Sequence, residues 1–222
     1  MMTELVLAIN RNQLIQQGID STGLHDFDMD AVMPTDYALL PRDFADNKSE
    51  KAIQLGSIFP QILGYFQIVS PTGRILAYQR KGKEKGLLGK WSIGVGGHVS
   101  QEDLYEVFEH TGEEFPSLDE LVYSGALREI HEELGIAPEW IPQLNSIEDF
   151  SSSVNTILAT MADPTSSVHV GIPMALELPE GIFDQVNLDP AEFLNYQWLT
   201  PQELKLGDRE WETWSQLLIK ES

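Results

Sequence analysis

Residues 117–136 constrain the fold more than any other stretch, because they combine a helix start, a helix stop and a one-sided charge pattern. Ser117, with Glu120 three residues later, has the form of a capping box, and Gly135 stands where a helix commonly ends in a left-handed residue. We therefore predict one helix over this stretch. At about 100° per residue, its carboxylates fall on one narrow arc and its apolar side chains on a nearly opposite arc.

The acidic arc of this helix consists of Glu129, Glu132 and Glu133. Three carboxylates this close repel one another and destabilise a helix unless a cation neutralises them. Magnesium suits such a site, since it takes oxygen ligands and keeps waters and substrate phosphate oxygens in its shell. Gly125 lies one turn earlier on the same arc, where a missing side chain leaves room for metal or phosphate. The spacing alone is more typical of a solvated acidic helix face.

The residues around the acidic arc favour the metal site. Arg128–Ile136 has the order Arg, Glu, apolar, any residue, Glu, Glu, any residue, Gly, apolar, and Glu120 stands eight residues before the Arg. This order resembles the signature of the Nudix hydrolase superfamily, the MutT-like pyrophosphohydrolases. The resemblance implies an α/β fold, a Nudix-type α/β/α sandwich with a mixed β-sheet.

The first half of the family pattern departs from its usual form. A Gly is expected six residues before Glu120, but Glu114 stands there, and the expected Gly-Gly pair is found earlier, as Gly96-Gly97. Residues 98–119 separate this pair from Glu120, whereas the family has five residues there. We infer an inserted segment, about residues 100–116, which carries a helix of its own.

The resemblance implies a metal site built from the acidic helix and the Gly-Gly strand end. Its expected ligands are the Gly96 carbonyl and the carboxylates of Glu129, Glu132 and Glu133. Glu129 is alternatively the base that activates water, and Arg128 orients the carboxylates by ion pairing. The residues with a structural role in the motif are Gly97, Glu120 and Gly135. The implied cofactor is Mg²⁺, with Mn²⁺ as a substitute.

The implied reaction is hydrolysis of a diphosphate linkage in a small nucleotide-like or other phosphorylated metabolite. Metal ions polarise the diphosphate, lower the pKa of a bound water and stabilise charge on the leaving phosphate. In the family, a further acid from outside the motif often serves as base or ligand. The sequence offers three candidates that it does not rank, Glu177, Glu180 and Glu192.

The charge balance bears on the substrate, because 35 acidic against 14 basic residues give a net charge of −21. Such a field repels nucleic-acid phosphates, which disfavours binding of duplex nucleic acid. It also repels a small anionic substrate, so local cations are needed. Residues 74–90 hold six of the 14 basic residues, and we expect Arg80, with Lys81 or Lys90, to draw the diphosphate in. The alternative is a solvated loop with ordinary surface lysines.

Two other functions stay open at this point. A Nudix-fold module that binds a ligand without hydrolysing it usually lacks carboxylates of the motif, whereas this chain keeps all of them. The isopentenyl diphosphate isomerases, a related family, carry a Cys-Gly-His element in which the cysteine is catalytic. Gly96 stands in place of that cysteine, which disfavours isomerase chemistry. We expect His98 to be a loop or substrate-facing residue.

The order of patterns along the chain predicts two parts. Residues 1–58 form a partly ordered extension, packed on the core or at a homodimer contact, and residues 59–222 form the Nudix domain. The predicted elements are strands at Leu5–Ile9, Ile62–Val69, Arg74–Arg80, Trp91–Val99, Thr156–Met161, Val168–Leu178 and Phe193–Leu199, and helices at Arg11–Gln17, after Ser100, after Ser117, after Thr200 and over Arg209–Lys220. A turn signal, Ser70-Pro71-Thr72-Gly73, joins the second and third strands and predicts a hairpin. The number of strands suggests a mixed sheet between helices.

The remaining composition bears on location. No apolar run approaches the roughly 18 residues that suggest a membrane span, and Leu5–Ile9 has no positively charged segment ahead of it, which disfavours a secretory signal. The chain has no cysteine, which is compatible with a reducing compartment. We expect a soluble cytoplasmic protein with no membrane partner.

Overall fold

The structure is a computed structural model that describes residues 4–43, 54, 58–81, 87–160 and 166–221. The chain divides into two compact units. Unit 1 comprises Met1–Gly64, Gly97–Ala126 and Val154–Ile172, and unit 2 comprises Tyr65–Gly96, Leu127–Ser153 and Pro173–Ser222. Over the described ranges, the structure contains no helix that is both long enough and apolar enough to span a membrane.

Strands and helices alternate irregularly along the described part of the chain. The strands are β1 (Leu5–Ile9), β2 (Gly23–Asp26), β3 (Tyr37–Pro41), β4 (Gln61–Val69), β5 (Ile75–Arg80), β6 (Trp91–Ser92), β7 (Thr156–Ala159), β8 (His169–Glu177) and β9 (Phe193–Leu199). The helices are α1 (Arg11–Gln16), α2 (Gln101–Thr111), α3 (Leu118–Leu134), α4 (Ile147–Ser153), α5 (Glu180–Phe183), α6 (Pro201–Lys205) and α7 (Thr213–Glu221).

In unit 1, the N-terminal residues are part of a sheet. β1 pairs antiparallel with β3 along its whole length and with β4 at Ala8 and Gln61, and β2 pairs antiparallel with β7. The predicted strand Leu5–Ile9 and the helix after it are confirmed, whereas β2 and β3 were not predicted. The predicted boundary at residue 58 and the homodimer contact stay predictions.

The helix expected in the inserted segment is present in unit 1 as α2. Ser100 caps it: the Ser100 N–H donates to Asp103 Oδ2 at 2.6 Å, and the Ser100 hydroxyl accepts from the Glu102 N–H at 3.2 Å. Asp103 is buried, so the capping box is shielded from water. That residues 100–116 are an insertion relative to the family stays a prediction.

In unit 2, β5 lies between several partners. It forms the predicted hairpin with β4, closed at Val69 and Ile75, and it also pairs with β6 and β9. β9 coincides with its prediction. The predicted strand Trp91–Val99 is regular only at Trp91–Ser92, since the following residues pair through isolated bridges such as Phe66 with Val95.

The terminal helix differs from its prediction. It begins at Thr213 instead of Arg209, because the backbone ahead of it bonds to β6. The Trp91 N–H donates to the Glu210 carbonyl at 2.8 Å, and the Glu212 N–H donates to the Trp91 carbonyl at 2.9 Å. Trp211 and Trp214 are half-buried, and their rings pack edge-on against those of Trp91 and Tyr65.

Gly94 tests the packing of unit 2. A Cβ at this position would lie 2.1 Å from Cζ of the Tyr65 ring, so Gly94→Ala forces the ring or the backbone to move. We expect a loss of about 3 kcal/mol in the free energy of unfolding, measured by urea denaturation. The matched control is Gly181→Ala in α5, where a Cβ meets nothing within 4 Å and the change should stay within about 1 kcal/mol. Equal stability of the two variants would contradict this packing.

Candidate active site

Helix α3 has the limits that its capping signals predict. The Ser117 N–H and hydroxyl both donate to Glu120 Oε2 at 2.7 Å, so Glu120 fixes the first turn. Gly135 follows the last turn with a φ of 64°, which is the predicted left-handed cap. Ile130 and Leu134 are fully buried, and this apolar face anchors the helix while the acidic arc points elsewhere.

Arg128 forms the ion pairs that the sequence predicts. Its Nη1 lies 2.8 Å from Glu129 Oε1 and 3.5 Å from Glu132 Oε2. The Glu129 side chain is 14% exposed, whereas that of Glu132 is 58% exposed. Because the Glu129 contact is shorter and less solvated, Arg128 holds Glu129 more firmly than Glu132.

Glu133 is a half-buried residue of the acidic arc, and one of its carboxylate oxygens is enclosed. Its Oε2 is buried and has no hydrogen-bond partner among the described residues. Burial raises the pKa of Glu133 to about 8, the charges of Glu129 and Glu192 also raise it, and Arg80 and a backbone hydrogen bond from Gly96 partly oppose the shift. A buried oxygen without a partner costs about 1–3 kcal/mol. This carboxyl group therefore favours either a proton or a bound cation.

Gly96 reaches Glu133 from the segment after β6. The preceding residue, Val95, is fixed by two backbone hydrogen bonds with Phe66, of 2.9 and 2.7 Å. Gly96 then adopts a φ of 130°, a conformation that side-chain-bearing residues rarely adopt. Its backbone N–H donates to Glu133. The sequence predicts its carbonyl as a metal ligand, and that role stays a prediction.

Arg80 is the cation of the predicted basic segment that acts on Glu133, since its charge lowers the pKa of that carboxyl group. It ends β5, where its N–H donates to the Lys90 carbonyl at 2.9 Å and its carbonyl accepts from the Gly89 N–H at 3.0 Å. Both contacts fix the backbone from which the guanidinium projects. That Arg80 attracts a diphosphate stays a prediction.

The ammonium groups of Lys81 and Lys90 have other partners. Lys81 Nζ donates to the Pro190 carbonyl at 2.7 Å, and Lys90 Nζ lies 3.9 Å from Glu210 Oε1. Their predicted contact with substrate stays a prediction. Residues 82–86, which include two further lysines of the basic segment, lie outside the described residues.

Glu192 is the acid outside the motif that the structure connects to Glu133. Its charge raises the pKa of Glu133, and its carbonyl accepts from the Lys81 N–H at 3.0 Å. The sequence does not rank Glu192 above Glu177 and Glu180, because the choice depends on strand pairing. Glu192 directly precedes β9, whose first residue pairs with Arg80. Knowledge of that strand pairing would have identified Glu192 as the candidate acid nearest to Arg80 along the sheet.

His98 and Gly97 lie in unit 1. The His98 side chain is 7% exposed, its Nε2 lies 2.8 Å from Gln61 Oε1, and its ring centroid is 5.5 Å from that of His169. The Gly97 carbonyl accepts from the Gly64 N–H at 2.9 Å. An enclosed ring with these neighbours is a packed side chain, so the expectation that His98 faces substrate gains no support and stays a prediction.

Gly125 does not leave room for a ligand. A Cβ there would lie 3.4 Å from both Asp103 Oδ2 and Val99 Cγ2. The space beside this glycine in unit 1 is thus filled by the start of α2 and the residue before its cap. The expectation of a metal or phosphate at Gly125 is wrong, because the helical arc shows which residues share a face but not what packs on that face.

The structure therefore brings together Glu129, Glu133, Gly96, Arg80 and Glu192 in unit 2, and it leaves Glu132 exposed beside Arg128. Among the residues that it describes, no group of three or more His, Cys, Asp or Glu side chains is arranged to hold a metal ion. The protein supplies two neighbouring carboxylates on one helix face, and further ligands would have to come from elsewhere.

Comparison with known proteins decides the family. The sequence model of the NUDIX domain matches residues 63–218. The chain belongs to the Nudix family. The solved structure of Tm1382, provisionally named a Nudix hydrolase, matches 97% of this chain and 96% of that chain with a TM-score of 0.63 and 15% identity. This likeness shows the fold, so the predicted Nudix α/β/α sandwich with a mixed sheet is confirmed.

Two further solved structures are similar over part of the chain. A MutT protein from Methanosarcina mazei covers 73% of this chain and 92% of its own at 17% identity and a TM-score of 0.42. A NUDIX hydrolase from Alicyclobacillus acidocaldarius covers 72% and 90% at 12% identity and a TM-score of 0.46. At these TM-scores the likenesses transfer no structural detail. No curated protein matches the sequence. Membership of the Nudix hydrolase family makes the protein a hydrolase, as predicted.

The pKa of Glu133 predicts how stability depends on pH in metal-free protein. Its folded value of about 8 lies above its ordinary value of 4.5, so the protonated side chain favours the folded state. That contribution is present below the ordinary value and is lost as the pH rises through about 8. In EDTA, we expect the Tm of the wild type to fall between about pH 5 and about pH 9, and to fall less in Glu133→Gln.

Glu132→Gln is the matched control for this pH series, because the Glu132 side chain is mostly exposed. Its Tm should follow that of the wild type across the series. If Glu133→Gln also follows the wild type, Glu133 has no perturbed titration and the description of its environment is wrong.

Proposed function

We propose that the protein hydrolyses a diphosphate linkage in a small nucleotide-like or other phosphorylated metabolite, in a reaction that depends on a divalent metal ion. The observation that carries the proposal is the buried Oε2 of Glu133, which has no partner among the described residues. Glu129 and Arg80 act on the same carboxyl group. A small anionic substrate suits this arrangement better than duplex nucleic acid does, given the net charge of −21.

The residues present fit a hard divalent cation. Mg²⁺ is commonly bound through one or two carboxylates together with waters and substrate phosphates, and Glu129 and Glu133 supply two. A cation beside Glu133 would give its Oε2 a partner. It would also attract both carboxylates and so offset the repulsion between Glu133 and Glu129. The exposed Glu132 and the Gly96 carbonyl are the further candidate ligands. Mg²⁺ is the expected ion, and Mn²⁺ has the same preference for oxygen.

When bound, such a cation supplies Lewis acidity at the phosphate oxygens and lowers the pKa of the attacking water. The side chains of the protein bind the substrate and orient the carboxylates that would hold the cation. Arg80 presents a cation to the diphosphate, and Arg128 keeps Glu129 in place through its 2.8 Å ion pair. Glu192, whose charge acts on Glu133, is the acid outside the motif best placed to take a proton from water.

A substrate panel tests the proposed reaction. Phosphate release is measured from nucleoside di- and triphosphates, dinucleotides and non-nucleotide diphosphates, with Mg²⁺ and then Mn²⁺. Glu133→Gln removes the charge that binds metal, so we expect kcat to fall by at least about 100-fold on any substrate that the wild type hydrolyses. Glu139→Gln, at an exposed acid beyond α3, is the matched control and should keep wild-type turnover.

Two outcomes of the panel count against this function. Absence of turnover on every substrate, with tight ligand binding intact, would favour a Nudix-fold module that binds without hydrolysis. Turnover that survives in EDTA and in Glu133→Gln would show that the reaction does not use this carboxylate.

Arg80 is tested separately from the metal ligands. Because a charge-assisted hydrogen bond contributes about 1.5–3 kcal/mol, we expect Arg80→Ala to lower kcat/KM by about 10- to 100-fold, mainly through KM. The control is Arg74→Ala, since Arg74 pairs with Glu203 at 3.1 Å and is half exposed. Unchanged KM and kcat in Arg80→Ala would remove Arg80 from the substrate site.

A further inference from the structure

A second buried polar cluster lies in unit 2 and is centred on Glu212. Glu212 is 5% exposed, and Tyr65, Ser92 and Ser215 are buried around it. Three hydroxyl groups converge on Glu212 Oε1: that of Tyr65 at 2.6 Å, that of Ser215 at 3.3 Å, and that of Ser92 in a very short contact. The sequence pattern did not single out any of these residues.

Stability alone is a weak reason for this cluster. Removing a carboxylate from water is costly, and apolar side chains of similar volume often serve a core equally well. No ion pair to Glu212 occurs among the described residues, so hydroxyl donors provide the compensation. The other contacts of the same hydroxyl groups indicate what the cluster does.

These hydroxyl groups hold the backbone that follows β6. The Ile93 N–H donates to Ser215 Oγ at 3.0 Å, and the Gly94 N–H donates to Ser92 Oγ at 3.1 Å. A fourth hydroxyl group, that of Tyr78, does not bond to Glu212 but donates to the Gly94 carbonyl at 2.6 Å. The Tyr65 ring covers the Cα of Gly94 so closely that no Cβ fits. Side-chain groups thus fix the backbone at Gly94, in place of the backbone hydrogen bonds that a neighbouring strand would supply.

Gly94 stands two residues before Gly96. Val95 between them is held by its two hydrogen bonds to Phe66, so Gly94 and Val95 together set the direction in which the backbone enters Gly96. Gly96, at a φ of 130°, donates its N–H to Glu133. The direction of that N–H therefore depends on where the hydroxyl cluster places Gly94.

We propose that Tyr78 and Glu212 are positioning residues, which set the backbone at Gly96 and through it the placement of the Glu133 carboxylate towards a divalent cation. The inference rests on the proposed function, because it assumes that Glu133 binds metal. It adds that metal affinity is controlled by side chains that themselves never touch the metal.

Tyr78 is well placed for this role. It lies on β5 two residues before Arg80, and its ring packs on Phe193 with centroids 4.3 Å apart. Burial raises the pKa of Tyr78, and the charges of Glu133 and Glu212 also raise it. The hydroxyl group is thus within electrostatic reach of both acids and stays protonated as the donor to Gly94.

The test is Mn²⁺ binding to the full chain, measured as the EPR signal of free Mn²⁺ during titration of EDTA-treated, dialysed protein. Tyr78→Phe keeps the ring and removes only the donor. Since groups outside the ligand shell typically change metal affinity by 10- to 100-fold, we expect the Kd for Mn²⁺ to rise by about 10-fold. The control is Tyr196→Phe, at the residue of β9 that pairs with Tyr78 and is 56% exposed. Its Kd should equal that of the wild type.

Glu212→Gln is the second variant, and it should also weaken Mn²⁺ binding. A positioning role further predicts that turnover of both variants falls at low Mn²⁺ and recovers at high Mn²⁺, with KM for the diphosphate substrate unchanged. A purely structural role would instead lower the Tm of metal-free protein and leave the Kd for Mn²⁺ of folded protein at its wild-type value.

The outcomes separate this inference from the proposed function. If wild type binds no Mn²⁺, or if Glu133→Gln binds it as the wild type does, the metal site itself is wrong and the inference falls with it. If wild type binds Mn²⁺ through Glu133 while Tyr78→Phe and Glu212→Gln both keep the wild-type Kd, only the positioning role is overturned.

Discussion

The half-buried carboxylate of Glu133, with its enclosed Oε2, is the constraint on which the site depends. Its Oε2 has no partner among the described residues, and Arg80 and Gly96 offset the cost of its burial only in part. A side chain in that state has to be held in place, because water would otherwise solvate it. The apolar face of α3, with Ile130 and Leu134 fully buried, supplies the anchor. A carboxylate with an enclosed, unpaired oxygen on a firmly packed helix is a suitable group to receive a cation.

The strands of unit 2 deliver the other charged groups to this acid. β5 ends at Arg80, and β9 begins directly after Glu192 and pairs with β5. The segment after β6 brings Gly96, fixed by backbone bonds to Phe66 and by the hydroxyl cluster around Glu212. Each group thus comes from a different element of one unit. The site is therefore a product of strand pairing around one acidic helix, and its electrostatics follow from that pairing.

Local signals in the sequence predicted what local physics determines. The capping box at Ser117 and the left-handed Gly135 fixed the limits of α3, and the turn after Val69 predicted the hairpin. Long-range contacts carried no such signal. Gly125 lies on the acidic arc, yet its neighbour is α2, and Glu212 falls in a helical pattern although its backbone bonds to β6. Periodicity shows which residues share a face, whereas the partner of that face depends on the whole chain.

Glu133 is expected to bind a divalent cation. Anomalous diffraction from crystals of the full chain soaked in Mn²⁺ measures this directly, because it locates the metal independently of activity. We expect an anomalous peak about 2.0–2.5 Å from Glu133 Oε2, with Glu129 at the same ion. A Glu133 Oε2 that bonds only to water or to another side chain, with Mn²⁺ bound elsewhere or not at all, would rule out this metal site.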